Sequence, residues 1–465
     1  MAHQQNPRSG SEGQGAPLSA PAQTIAAVAT PPGRGGIGVV RVSGPAAAAI
    51  ARAVIGALPE PRRAALADFR AAGGETIDRG IALYFPAPHS YTGEDVLELQ
   101  GHGGPMVMAQ LLRRCVELGA RLAEPGEFTR RAFLNDRLDL AQAESVADLI
   151  DASSVEAARS AARSLTGEFS RRVHALSQAL IDLRMHVEAC IDFPDEEIEP
   201  ADRSAQQEKL GAIVATLESL REAARQGAVL REGLMAVLIG RPNVGKSSLL
   251  NRLAGEDVAI VTPIPGTTRD YVRATLSLEG VPIHLIDTAG LRVAEDDAER
   301  IGVERTWRAI QDAGAALFVT EGAGGGRDEE AAHLARLPQG LPIARVVNKI
   351  DLTGEAPGLG GEDSHGPILC VSAKTGAGIE SLRGWLLQTA GWKPHGEGLF
   401  MARERHLSAL EDAWGHLGNA RAVGQAFELF AEELRLAQRA LGRITGEFGS
   451  DELLGEIFSR FCIGK

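Results

Sequence analysis

Eight consecutive residues, Gly240-Arg241-Pro242-Asn243-Val244-Gly245-Lys246-Ser247, constrain this chain more than any other stretch. A glycine, four free positions and Gly-Lys-Ser make a phosphate loop when a strand enters and a helix leaves. Both flanks comply: the apolar residues 235–239 predict a buried strand, and residues 248–253 predict a helix. Such a loop turns backbone N–H groups and a helix N-terminus toward a polyphosphate. Asn243, Val244, Gly245, Lys246, Ser247 and Ser248 are therefore the expected nucleotide contacts. Lys246 is expected to reach the terminal phosphates and Ser247 to give its hydroxyl to Mg2+.

A phosphate loop does not choose a base. Asn348-Lys349-Ile350-Asp351, at the end of a predicted strand, does. The Asp351 carboxylate suits the ring N–H and exocyclic amine of guanine, a donor pair that adenine lacks. Ser372-Ala373-Lys374 matches the loop whose backbone supports the guanine oxygen. Asp287-Thr288-Ala289-Gly290 follows a strand, as a sensor of magnesium and the γ-phosphate should, and Thr268 is the switch-threonine candidate. Five elements in this order predict a Ras-like, doubly wound domain that binds GTP. The residue after Gly290 is Leu291, where Ras-like proteins place a water-orienting glutamine. Water must then be oriented by another group, and the acidic stretch Glu295-Asp296-Asp297-Ala298-Glu299 lies just downstream; its other reading is a solvated loop.

At 465 residues the chain has room for two to four domains, and its 44% apolar and 4% aromatic content fits ordinary α/β or helical folds. No stretch is apolar enough to span a bilayer, and no signal-peptide core is visible. Cys115, Cys190, Cys370 and Cys462 are scattered without CxxC spacing, which argues for a reducing compartment and against a zinc site. A formal net charge of −13 argues against a broad basic surface for nucleic acid.

Residues 1–23 read as a disordered tail. Gly33, Gly35 and Gly38 satisfy G-x-G-x-x-G, but an alternating strand follows them, so a glycine turn between two strands is expected instead of a dinucleotide site. Helices at 46–55 and 106–118 and strands at 80–85 and 95–100 make a small α+β domain, residues 24–138, with His102 in a glycine turn. His102 reads as structural, although a turn histidine can also serve as a ligand or base. Residues 139–230 carry helical periodicity in three long stretches, 144–165, 169–191 and 206–225. The break at Asp192-Phe193-Pro194-Asp195 opens an acidic helix start, which suits the helix dipole better than a metal site. The nucleotide domain occupies 231–392, with a hairpin turn at Glu279-Gly280 and a glycine-rich surface loop at 354–366. Helical pattern resumes over 393–465, so the nucleotide domain reads as an insertion into a helical one.

Several further stretches carry a resemblance: PPGRGGIG after Thr30, Tyr91-Thr92-Gly93-Glu94-Asp95, Pro125-Gly126-Glu127-Phe128, Ile191-Asp192-Phe193-Pro194 and the ending Cys462-Ile463-Gly464-Lys465. With them the chain resembles, from Thr24 onward, the MnmE (TrmE) family of tRNA uridine modification GTPases. The resemblance implies a multidomain protein: an N-terminal α+β folate-binding and dimerisation domain, an all-α helical domain, and an inserted Ras-like α/β P-loop G domain. It implies a homodimer that works with the flavoprotein MnmG (GidA) on tRNA in the cytoplasm. The reaction would install an aminomethyl-type group at carbon 5 of the wobble uridine, with a tetrahydrofolate derivative as one-carbon donor.

Carried onto matching positions, the folate contacts would be Arg41, Glu98, Arg137 and Lys465, with Cys462 in the tail that reaches them. Arg137 stands where the family also has lysine, and Pro263 and Pro265 depart from a looser switch loop. The family uses K+ where Ras uses an arginine finger; Asn243 and the oxygens of Thr262, Ile264 and Thr267 would hold it. Glu299 would orient water and Arg292 would help order the second switch. A competing class is a regulatory or ribosome-assembly GTPase that binds RNA without covalent chemistry. That class should bring a basic RNA-binding appendage, and none is evident in the sequence.

Overall fold

The computed structural model describes residues 23–192, 200–241, 243–255, 274–287, 311, 313–322, 337–393, 398–423, 426–447, 451–459 and 461–464. They fall into two compact units, one from the N-terminus to Leu138 plus Ser450–Lys465, the other Asp139–Gly449. The C-terminal segment thus clusters with the first unit, whereas sequence pattern groups it with the helices before it.

The first unit is a six-stranded sheet in the order β3-β4-β5-β2-β1-β6, formed by β1 (Ile25–Val28), β2 (Gly35–Ser43), β3 (Ala65–Arg70), β4 (Thr76–Phe85), β5 (Val96–Gly103) and β6 (Arg121–Leu122). Strands β1 and β2 pair antiparallel, Ala27 opposite Arg41, so the glycine triplet does connect two strands. Helices α1 (Ala47–Ile55) and α2 (Pro105–Glu117) cover one face, burying Ile50, Val54, Met108 and Leu111 against Val40, Val42, Leu97 and Leu99. Gly101, His102 and Gly103 belong to β5 and are not a turn, because Gly101 and Gly103 pair with Gly38 and Gly35 across the ladder. His102 leans on Asp78: its N–H reaches Oδ2 at 2.7 Å and its Nδ1 lies 2.8 Å from Oδ1.

Helix α3 (Glu127–Leu134) follows, and packs against the C-terminal helix Asp451–Ser459. The contact needs a glycine: at Gly126 (φ 66°) a Cβ would lie 2.6 Å from the Phe458 carbonyl oxygen. Beyond that helix the chain returns as a single antiparallel bridge, Pro125 to Ile463.

In the second unit, α4 (Leu140–Asp151), α5 (Val155–Leu165), α6 (Glu168–Asp192) and α7 (Pro200–Glu232) join the helices Glu404–Val423 and Phe427–Thr445 around one apolar core. The expected single helix over 144–165 is two. The Ser154 side chain accepts from Ala157 N–H at 3.0 Å, an N-cap that starts a new helix where the first has ended. The acidic cluster after Asp192 lies outside the described residues.

The same unit carries a seven-stranded sheet, β12-β13-β11-β10-β7-β9-β8. Its strands are β7 (Leu234–Ile239), β8 (Ala274–Leu278), β9 (Val281–Asp287), β10 (Ala315–Glu321), β11 (Ile343–Asn348), β12 (Gly358–Glu362) and β13 (Pro367–Cys370). Neighbours among β9, β7, β10, β11 and β13 pair parallel, and only the edges β8 and β12 run antiparallel. Strand β7 is buried on both faces: Ala236 and Leu238 join one apolar cluster, Val237 and Ile239 the other. Glu279 (φ 47°) and Gly280 (φ 87°) make the expected hairpin turn. The expected glycine-rich loop contains the edge strand β12, whose glycines pair with β13 around a bulge at Leu359/Gly361. Among the described residues no helix is long and apolar enough to cross a membrane.

Candidate nucleotide and cofactor sites

Strand β7 delivers Gly240 to a position where only hydrogen fits. A Cβ there would lie 2.3 Å from the Val319 carbonyl oxygen of β10. The loop then uses left-handed backbone at Asn243 (φ 66°) and Gly245 (φ 93°) before α8 (Lys246–Ala254) begins. The N-cap residue Gly245 has no side chain with which to cap the first turn of α8, so its amide dipoles face the loop. Lys246 is only 8% exposed, and its Nζ donates to the Gly240 and Arg241 carbonyls at 2.6 and 2.9 Å. An ammonium held above a left-handed loop and an uncapped helix start form a cradle for an anionic chain of phosphates. Ser247 and Ser248 are exposed at the head of α8, with Ser247 on the second helical position where a hydroxyl can face a phosphate-bound cation.

The expected base-recognition residues stand beside this loop. Asn348 ends β11 and is 1% exposed; its Nδ2 donates to the Val244 carbonyl at 2.9 Å and its Oδ1 accepts from Ala373 N–H at 3.0 Å. Lys349, at φ 67°, donates to the Asn243 carbonyl at 2.9 Å and pairs with Glu321 of β10. Asp351 accepts from the Ser372 hydroxyl at 2.7 Å, and the same hydroxyl accepts from Thr375 N–H at 3.1 Å. This network holds Asp351 in one orientation with carboxylate acceptor capacity to spare. The loop also has a support that sequence reading does not single out. Arg252 of α8 donates to the Ala373 carbonyl at 2.9 Å and to the Lys374 carbonyl at 2.5 Å. Within the strand–loop–helix pattern Arg252 reads as an ordinary helix-surface charge, and nothing local marks its partners.

Asp287 closes β9 opposite Leu238, as expected of a residue delivered to the phosphate end of the sheet. Its side chain, and Thr262, Ile264, Thr267, Thr268, Thr288, Ala289, Gly290, Leu291, Arg292, Glu295 and Glu299, lie outside the described residues. Of the four expected K+ positions, only Asn243 is described.

In the first unit Arg41 and Glu98 face each other across β2 and β5 and form an ion pair at 2.9 Å, with side chains 23% and 17% exposed. The Arg41 guanidinium also lies 5.6 and 5.8 Å from the ring centres of Tyr91 and Phe128. Burial pushes the Tyr91 hydroxyl above its ordinary pKa against the opposing pull of Thr129 and Arg41, which keeps it neutral. The floor here is apolar: Ile25, Ala27, Ala123 and Phe128. Ala27 and Ala123 also line a cavity of ≈ 1050 Å³, together with Phe461, Cys462 and Ile463. A largely buried carboxylate–guanidinium pair beside aromatic rings fits a flat heterocycle that both donates and accepts hydrogen bonds. Arg137 is exposed beside Gly93, where an added Cβ would lie 3.4 Å from its Cγ, and Lys465 is outside the described residues.

The stretches around these residues are structural. Thr92 and Ser43 hydroxyls lie 2.7 Å apart, and Ser43 donates to Glu94 at 2.7 Å. Arg131 bridges Glu94 and Glu127, and Arg121 grips Glu127 with two donors. Burial alone would raise the Glu127 carboxyl, but the two guanidiniums hold it below the usual range.

A family model described as "MnmE helical domain" matches residues 140–462, and one described as "GTP-binding protein TrmE N-terminus" matches residues 24–137. A protein named "tRNA modification GTPase MnmE" from Azoarcus sp. (strain BH72) is 60% identical over 447 residues, covering 96% of this chain and 98% of its own. Its counterpart of the same name from Nitrosomonas europaea is 59% identical over 447 residues, covering 95% and 99%. Among solved structures, Aquifex aeolicus Era bound to GDP.AlF4− is 26% identical over 40% of this chain and 66% of its own, with a TM-score of 0.27.

Proposed function

The chain belongs to the MnmE (TrmE) family of tRNA modification GTPases, and from that premise we propose that it hydrolyses GTP to drive modification of the wobble uridine at carbon 5. That it is a GTPase acting in tRNA modification follows from the family itself. The finer reading is that an aminomethyl-type group is built with a tetrahydrofolate derivative as one-carbon donor. In this reading the chain is a cytoplasmic homodimer that works on tRNA with the flavoprotein MnmG.

The observation that carries the chemical reading is the Arg41–Glu98 pair between Tyr91 and Phe128, next to a cavity walled by the Cys462 segment. A charged pair flanked by aromatic rings beside a cavity suits a small ring-bearing ligand, which binding of RNA alone does not call for. Arg41, Glu98 and Arg137 would hold the folate, with Cys462 and Lys465 closing over it. In the G domain, residues 243–248 would hold the phosphates, with Thr288, Ala289 and Gly290 at the γ-phosphate. Asn348, Lys349, Asp351, Ser372, Ala373 and Lys374 would hold the guanine. Ser247, Thr268 and Asp287 would attend Mg2+, and Asn243, Thr262, Ile264 and Thr267 would attend K+. When bound, the two cations would supply positive charge to the transferring phosphoryl group. Glu299 would orient the water and Arg292 would order the loop that carries it.

The test is the wobble-nucleoside composition of tRNA from cells lacking this protein. Loss of the carbon-5 modification is expected, with restoration by the wild-type chain but not by Arg41→Ala. Unchanged nucleosides would overturn the modification reading and leave an RNA-binding GTPase.

A further inference from the structure

We infer that Arg252 is a specificity-setting residue for the nucleotide base, positioning the 372–375 loop against the 6-oxo group of guanine. The inference rests on the guanine reading of that loop. Arg252 lies in the last turn of α8, six residues after Lys246, or about 9 Å along the helix axis. One rigid element therefore carries the phosphate lysine at one end and a guanidinium at the other.

Among the described residues the guanidinium meets backbone carbonyls and no carboxylate. Its Nε donates to the Ala373 carbonyl at 2.9 Å and its Nη2 to the Lys374 carbonyl at 2.5 Å. In a trans peptide the carbonyl and the following N–H point in opposite directions. Fixing the Ala373 carbonyl therefore fixes the Lys374 N–H, facing away from Arg252. Fixing the Lys374 carbonyl fixes the Thr375 N–H, which donates to the Ser372 hydroxyl, itself a donor to Asp351. The Ala373 N–H is already engaged by Asn348. Arg252 thus holds two successive peptide planes. One leads by hydrogen bonds to the carboxylate that reads the guanine amine edge; the other presents an N–H suited to the 6-oxo acceptor. A planar fork with donors in fixed directions does this, and a flexible ammonium does not.

The experiment compares the full chain with Arg252→Ala and Arg252→Lys, titrated with GDP, with 2-aminopurine riboside diphosphate, which lacks the 6-oxo group, and with ADP. The expected result is a loss of about tenfold in GDP affinity for Arg252→Ala, the size of one well-made hydrogen bond. Affinity for the 2-aminopurine nucleotide, which keeps the amine edge but lacks the 6-oxo group, should fall clearly less, and Arg252→Lys should recover only part of the loss. Equal losses for both nucleotides would mean that Arg252 merely supports the fold, and no loss for either would mean that it does nothing; each overturns the inference. If the wild-type chain itself fails to prefer GDP over ADP, the guanine reading falls and the inference with it. If the wild type discriminates and Arg252→Ala discriminates to the same degree, the guanine reading stands and only Arg252 is dismissed.

Discussion

The Asn348 carboxamide donates to the Val244 carbonyl at 2.9 Å, joining the strand end that precedes Asp351 to the crown of the phosphate loop. Gly245 makes that contact feasible. At its φ of 93° a side chain is strained, and a Cβ would lie 2.3 Å from the Asn348 Nδ2. Gly245→Ala should therefore displace the amide, strand two buried polar groups and weaken GDP binding by about 3 kcal/mol, roughly a hundredfold. Calorimetric titration checks this; a variant within threefold of wild type would show that the loop relaxes around the methyl group.

Asp351 is expected to read the guanine donor pair, and the Ser372 hydroxyl at 2.7 Å orients it. Asp351→Asn exchanges an acceptor for a donor at one oxygen. Loss of GTP affinity by roughly 2 to 5 kcal/mol is expected, with xanthosine triphosphate becoming the better ligand. Competition between the two nucleotides measures it, and continued preference for GTP would refute the role.

Hydrolysis is expected to depend on K+ and on Glu299. Leu291 cannot hold water, and Arg269 and Arg292 are the arginines that would otherwise supply charge. An arginine finger is worth about 10³ to 10⁵ in rate, so replacing K+ with Na+ at equal ionic strength should slow turnover sharply. Glu299→Ala should bind GTP normally and hydrolyse it about 10² to 10⁴ times more slowly. Equal rates in the two salts would return the arginines to candidacy, and a fully active Glu299→Ala would move attention to Glu295.

At the C-terminus, Gly464 (φ 96°) is pressed on β1, where a Cβ would lie 2.4 Å from the Val28 carbonyl oxygen. Gly464→Val should therefore dislodge the Cys462–Lys465 segment while keeping its functional side chains. Loss of tRNA modification with GTP hydrolysis largely intact is the expected result, as for deletion of 462–465. Parallel loss of both activities would instead point to misfolding.

Glu144, 1% exposed, accepts two hydrogen bonds from Arg405 at 2.8 and 2.6 Å and lies 2.9 Å from His406 Nε2. Burial by itself would raise its pKa, but His406 and Arg405 hold the carboxyl well below the usual range. Burial lowers the His406 pKa, with Arg405 adding to it, so the folded state favours the neutral ring. Both shifts are downward. The histidine contribution is present above its unfolded pKa of about 6.5 and declines as pH falls below it; the glutamate contribution is lost only at more acid pH. Glu144→Ala should destabilise the helical bundle by about 1 to 3 kcal/mol, because it removes the charge-assisted bonds of the partly buried Arg405, which among the described residues keeps only the Arg443 and Ile444 carbonyls. Urea unfolding followed by circular dichroism at pH 8 and pH 5.5 checks both statements. A wild-type midpoint that is constant between those pH values would dismiss the histidine.

The guanine-nucleotide elements were legible because each is contiguous and its chemistry is local. The phosphate loop, Asn348 to Asp351 and Ser372 to Lys374 each carry their own geometry in their own residues, the apolar run 235–239 alone predicts β7, and Glu279-Gly280 alone predicts the hairpin turn. Helical periodicity likewise marks α6 and α7, since one apolar stripe suffices to reveal a helix.

What sequence could not supply are relationships between distant segments. Periodicity continues across Ser153 and Ser154, so only the Ser154 cap shows that α4 and α5 are separate. A glycine-rich stretch reads as a loop until a partner strand accepts its hydrogen bonds, as β13 does for β12. Arg252 and Arg405 look like surface charges in sequence, and become structural only when folding brings carbonyls or a buried carboxylate to them. The sequence by itself determined which local elements exist and which nucleotide chemistry they suit. The tertiary structure decided the rest, because the partner of a buried charge or of an edge strand is fixed by chain topology, to which no local pattern has access.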